Sequence, residues 1–84
     1  MDRGEVFDEV VAILRPFAKN PAALATVGDE TSILRDLKVN SARFVEVLVR
    51  IQRRFAVAIT DEEADRAHTV GDVVRLVVRA RGAA

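Results

Sequence analysis

Ser41 is the side chain whose type and position suggest covalent chemistry. It closes the stretch Asp36-Leu37-Lys38-Val39-Asn40 and opens an amphipathic segment that runs to Phe55. A hydroxyl in the first turn of a helix lies near backbone amides that lack intrahelical partners, at the positive end of the helix dipole. A phosphodiester formed there would be favoured, as anions generally are at helix starts. The plainer role for such a serine is to cap the helix. Residue type and position alone leave both open.

The other reactive side chains point to structure. His68 is the sole histidine and has no nucleophile or metal partner near it in sequence, which suits a helix boundary or the surface. Asp61, Glu62, Glu63 and Asp65 cluster where acids stabilise a helix start, so a solvated face is expected rather than a metal site. Thr31 and Ser32 suit the capping of a loop turn. No metal-binding or catalytic residue is assigned.

These groups sit on a short chain of 84 residues, half of them hydrophobic. A single domain is expected over 1–84, with its core over about 5–79 and a frayed tail at 80–84. A domain this small buries only ~60–65% of its unfolded surface. Cysteine is absent, which excludes disulfides and thiolate metal sites and suits a reducing cytosol. No apolar run reaches the ~18 residues of a membrane span, and Met1-Asp2-Arg3-Gly4-Glu5 lacks the layout of a signal peptide. A soluble, cytoplasmic monomer with no membrane partner is expected. Eleven of the thirteen basic residues are arginine, a bias that accompanies GC-rich coding in bacteria.

The periodicity predicts helices. Phe7, Val10, Val11, Leu14 and Phe17 form a stripe over Arg3 to Ala18, widened by Val6 and Ile13. Pro16 lacks an amide hydrogen, so a kink or an early end near Ile13 is expected. Residues 19–40 form an ordered connection, with one helical turn around Pro21 to Ala25. Leu24, Val27, Ile33, Leu34 and Leu37 are available to pin it. From Ser41 to Phe55, residues Phe44, Leu48, Ile51 and Phe55 share a narrow arc and face the core. Val57 and Ile59 follow in an extended stretch. Thr60-Asp61-Glu62-Glu63 is a capping box for a short third helix ending near Ala67. Thr69-Val70-Gly71-Asp72 starts a last helix to about Arg79, with Val70, Val73, Val74 and Val77 inward.

The expected fold is therefore all-α, a four-helix bundle with a long first loop and a short third helix. Over about residues 5–79 its order and spacing resemble the acyl and peptidyl carrier protein family. Ile33-Leu34-Arg35-Asp36-Leu37 resembles the lead-in to the family's attachment serine, whose usual context is Asp-Leu-Gly-x-Asp-Ser-Leu. Phe55-Ala56-Val57-Ala58-Ile59 is similar to a Phe-Gly-Ile-x-Ile run, and Thr69-Val70-Gly71-Asp72-Val73-Val74 resembles the start of the last helix. Lys38 stands for the usual glycine, Asn40 for the aspartate and Ala42 for the leucine. Asparagine caps a helix as well as aspartate does, although one negative charge is lost. Ala42 shrinks an apolar contact used by partners.

The resemblance implies a covalent 4′-phosphopantetheine on Ser41, flanked by Asn40, and a carrier of acyl or aminoacyl thioesters that is not an enzyme. Implied partners are a phosphopantetheinyl transferase, an acyl- or aminoacyl-loading enzyme, and downstream synthase or tailoring enzymes. It also implies that the helix after Ser41 docks those partners. Ala42, Val45 and Val49 lie on one side of that helix, with Arg43, Glu46, Arg50, Arg53 and Arg54 around them. Glu46 keeps an acidic position, whereas the arginines occupy places that are commonly acidic in the family. Residues 41–59 carry four arginines against one glutamate, a net +3, while the segments before and after are −2 and −1. Alternatively, Val45 and Val49 pack against a neighbouring helix and Glu46 pairs with Arg50.

A standalone carrier with a non-acidic docking helix suits specialised biosynthesis of polyketide or non-ribosomal peptide type more than housekeeping fatty-acid synthesis. Two other functions compete: a nucleic-acid-binding domain using the arginine-rich helix, and an unmodified interaction module. Zero net charge and interspersed acids count against nucleic acid.

Overall fold

The computed structural model describes residues 1–82. It contains α1 (Arg3–Leu14), α2 (Ser41–Phe55), α3 (Asp61–Arg66) and α4 (Val70–Gly82), with two 3₁₀ segments between α1 and α2. α1 packs against both α4 and α2.

Local hydrogen bonding explains where each helix begins and ends. At α1, Asp2 Oδ1 accepts from the Glu5 amide at 2.9 Å and Glu5 Oε1 accepts from the Asp2 amide at 3.1 Å, a reciprocal cap. The regular α-helix stops at Leu14, and Arg15–Phe17 tightens to 3₁₀ geometry around Pro16. The buried stripe is Val6, Val10, Val11 and Leu14. Phe7 and Phe17, expected as members of the stripe, are only partly buried, because α1 is rotated toward Val6 and the chain departs from α geometry before Phe17.

Thr60 and Glu63 form the second reciprocal cap, opening α3. The Thr60 bonds lower the Glu63 carboxyl's pKa from its ordinary value. Thr69 and Asp72 form the third, opening α4. Burial pushes the Asp72 carboxyl up. Hydrogen bonds donated by the His68 and Thr69 amides, Arg75 and the Thr69 hydroxyl outweigh that and hold it below its ordinary value. α4 runs on through Gly82, past the expected end at Arg79 and into the expected frayed tail. Residues 83–84 lie outside the described residues.

The connection from 18 to 40 is ordered by the core it helps to build. Pro21–Thr26 forms a longer 3₁₀ segment than the single turn expected there, and it buries Leu24. The Leu37 carbonyl accepts from the Lys19 and Asn20 amides, drawing the two ends of the connection together. Further on, the Ile33 amide donates to the His68 carbonyl, while the Val70 and Gly71 amides donate to Thr31 and Asp29 carbonyls. These bonds stitch the loop to the start of α4. A Cβ on Gly71 would lie 2.8 Å from the Asp29 carbonyl oxygen, so glycine is what permits this approach. Ile33, Leu37 and Val39 are buried, whereas Leu34 is 44% exposed and pins nothing. The Ser32 carbonyl accepts from the Asp36 and Leu37 amides in a single helical-type turn. Ile33 and Leu37 share its inner side, leaving Leu34 outside.

One hydrophobic cluster unites all these parts: it takes residues from α1, the loop, α2, α4 and Ala67 after α3. α2 contributes Phe44, Val47, Leu48, Ile51 and Phe55. Val47 lies about 40° outside the narrow arc of the four predicted positions, at 100° per residue, so the buried face of α2 is wider than expected. Among the described residues there is no strand, only an isolated bridge between Ser32 and Thr69.

Candidate functional site

The site is the junction of the loop with α2. Leu37 and Val39 are buried on either side of Lys38, so their burial anchors the chain just before the helix. Between them Lys38 adopts φ 59°, the left-handed region that favours glycine. That conformation swings the chain from the loop into the helix start.

Asn40 is the cap of α2: its Oδ1 accepts from the Arg43 amide at 2.8 Å. Ser41 is therefore the first helical residue rather than the cap, which corrects the simpler expectation for its hydroxyl. Ser41 is exposed, and among the described residues its hydroxyl makes no protein hydrogen bond. A serine whose structural duty is performed by its neighbour leaves an accessible oxygen at the positive end of a 15-residue helix. The geometry thus fits a bulky phosphodiester: the oxygen is solvent-facing, the cap survives modification, and the dipole favours the added negative charge.

Along α2 from Ser41, Ala42, Val45 and Val49 are exposed, the two valines at 62% and 40%. They do not pack against a neighbouring helix. The charged residues around them have distinct surroundings. Glu46 pairs with Arg43 at 3.5 Å, and not with Arg50 as the i,i+4 spacing suggested. Arg50 lies over the Phe17 ring, 5.3 Å from its centroid. Arg54 reaches Glu9 on α1 at 3.0 Å and also lies over the Phe55 ring. Arg53 is exposed and has no ion pair or ring partner among the described residues. The contacts of Arg50 and Arg54 were beyond sequence reasoning, because Phe17 and Glu9 are distant along the chain.

His68 is exposed at the α3–α4 boundary, where its amide donates to Asp72. Thr31 and Ser32 cap loop turns, accepting from the Gly28 and Arg35 amides. Among the described residues no group of histidine, aspartate and glutamate is placed to hold a metal ion. No helix there is long and apolar enough to cross a membrane.

This arrangement is a four-helix bundle with an exposed serine at the start of its second long helix. Residues 8–77 match the family model described as a phosphopantetheine attachment site. An acyl carrier protein of Wolinella succinogenes is 33% identical over 73 residues, covering 86% of this chain and 92% of that one. Another, from an Arthrobacter species, is 32% identical over 88% of this chain and 94% of its own length. A solved structure of acyl carrier protein from Enterococcus faecalis superposes with a TM-score of 0.79 at 29% identity, covering 95% of this chain and 99% of that one.

The chain belongs to the phosphopantetheine-attachment family, in its acyl carrier protein branch. Membership brings a covalently attached 4′-phosphopantetheine as the cofactor.

Proposed function

We propose that Ser41 is the attachment residue and that the chain carries acyl groups as thioesters on the arm, delivering them to partner enzymes without catalysing their chemistry. The observation that carries this reading is the exposed, unengaged Ser41 hydroxyl beside a cap supplied by Asn40. When bound, the arm supplies a thiol, which a cysteine-free chain has no other means of presenting. Asn40 holds the start of α2 in place, and the helix dipole stabilises the phosphodiester.

The partners of such a carrier are a phosphopantetheinyl transferase, a loading enzyme and downstream acyl-handling enzymes in the cytoplasm. Similarity to acyl carrier proteins favours acyl over aminoacyl cargo. The arginines of α2 favour a specialised pathway, of polyketide or non-ribosomal peptide type.

Intact-mass measurement tests the attachment. With coenzyme A and a broad-specificity transferase, the protein should gain the mass of one arm. Ser41→Ala should gain nothing while its helical spectrum stays unchanged, because Asn40 still caps α2. Modification that persists in Ser41→Ala would overturn the assignment.

A further inference from the structure

The second surface of α2 has a charge arrangement that composition alone does not reveal. At about 100° per residue, Ala42, Val45, Val49 and Arg53 fall in one strip along the helix, opposite the buried face. The valines are exposed, and the strip begins one residue after Ser41. Any enzyme that receives the arm must therefore approach close to this strip, a point that rests on Ser41 as the attachment residue.

Four arginines lie on α2, but they are not equivalent. Arg43 is paired with Glu46, Arg50 is held over Phe17, and Arg54 is tied to Glu9. The last two fasten α2 to the segment formed by α1 and its 3₁₀ extension. Arg53 stands in line with the valines and has no such partner among the described residues. Twelve residues separate it from Ser41, which at 1.5 Å per residue is about 18 Å along the axis.

We propose that this strip docks an enzyme surface bearing an apolar patch with a carboxylate rim about 18 Å from the arm's entry point, and that Arg53 is the residue that selects it. Val45 and Val49 cover the apolar patch, and Arg53 meets the carboxylates. A basic rim is disfavoured, because a lysine or arginine opposite Arg53 adds repulsion and gains no partner. Complementary charge of this exposed kind acts chiefly on encounter and on exclusion of wrong partners. It is screened over ~8–10 Å at ordinary ionic strength. A nucleic-acid backbone is a poorer occupant: it rewards several free cations, and three of these arginines are already engaged.

Two amphipathic helical peptides with the same leucine face test the proposal, one with glutamate and one with lysine on its polar face. Each is titrated into ¹⁵N-labelled protein at low and high salt. The glutamate peptide should shift amides along residues 42–54 and bind about two- to fivefold more tightly than the lysine peptide at low salt, the range of one exposed charge pair. The preference should shrink in high salt. Arg53→Glu should reverse it and Arg53→Gln should remove it, while Arg54→Glu should change it less. Val49→Ser should weaken both peptides equally. Equal binding of the two peptides, shifts centred away from α2, or an Arg54→Glu effect as large as that of Arg53→Glu would each overturn it. So would tighter binding of a short DNA duplex on the same residues. The peptide readout does not require the arm, so failed modification of Ser41 and failed docking are separate outcomes.

Discussion

Lys38 and Ala56 are the two non-glycine residues with positive φ among those described, at 59° and 54°. They occupy the places where the resembled carrier pattern has glycine: Lys38 before the attachment serine, and Ala56 after the aromatic that closes α2. Ala56 terminates α2 in the left-handed conformation, its amide donating to the Gln52 carbonyl. A side chain in this region costs roughly 1–2 kcal/mol. Glycine removes that strain but adds about 0.4–1 kcal/mol of unfolded-state entropy. Lys38→Gly and Ala56→Gly should therefore each stabilise the protein by about 0.5–1 kcal/mol. Urea unfolding should show this as a raised midpoint with an unchanged slope. A lowered midpoint for both would mean that neither backbone is strained.

The two faces of α2 must differ in their energetics. Leu48 packs in the central cluster, whereas its neighbour Val49 is exposed. Leu48→Ala should cost ~2–4 kcal/mol through lost burial and the cavity left behind. Val49→Ala should cost well under ~1 kcal/mol. Equal losses in urea unfolding would show that the faces are assigned wrongly. The same helix divides its surface: its inner face holds the bundle together, while its first residue, Ser41, and the strip of Val45 and Val49 are exposed. Gln52 fixes the far end, donating to the Leu48 carbonyl and accepting from the Ile59 amide, which ties the extended stretch after α2 back to the helix.

The long loop behaves as part of the whole molecule's core rather than as a mobile connection. Ile33, Leu37 and Val39 share one cluster with residues of α1, α2 and α4. The Cα radius of gyration is 11.6 Å, close to the ~12 Å expected for a compact chain of this length. With one cluster, unfolding should be cooperative. Ile33→Ala should cost ~2–4 kcal/mol, as a helix core residue would, and the exposed neighbour Leu34→Ala less than ~0.5 kcal/mol. Loop amide signals and helical ellipticity should disappear at the same urea concentration. Earlier loss of the loop signals would show that the loop is a separate, weaker unit.

The sequence alone determined the features that arise within a few residues of one another. Helix order, the reciprocal caps at Thr60 and Thr69, the end of the first helix near Pro16 and the inner arc of α2 all follow from periodicity and from bonds between residues three or four apart. The flanking pattern of Ser41 was legible only through its resemblance to the carrier family's attachment motif. Tertiary structure decided what depends on distant partners. Arg54 and Glu9 are 45 positions apart, so sequence could not separate a tethered arginine from a free one beside it. The outward turn of Leu34 and the approach of Gly71 to Asp29 likewise depend on where the loop meets α4. Periodicity records which face a helix buries, but long-range packing alone determines which exposed groups are already engaged.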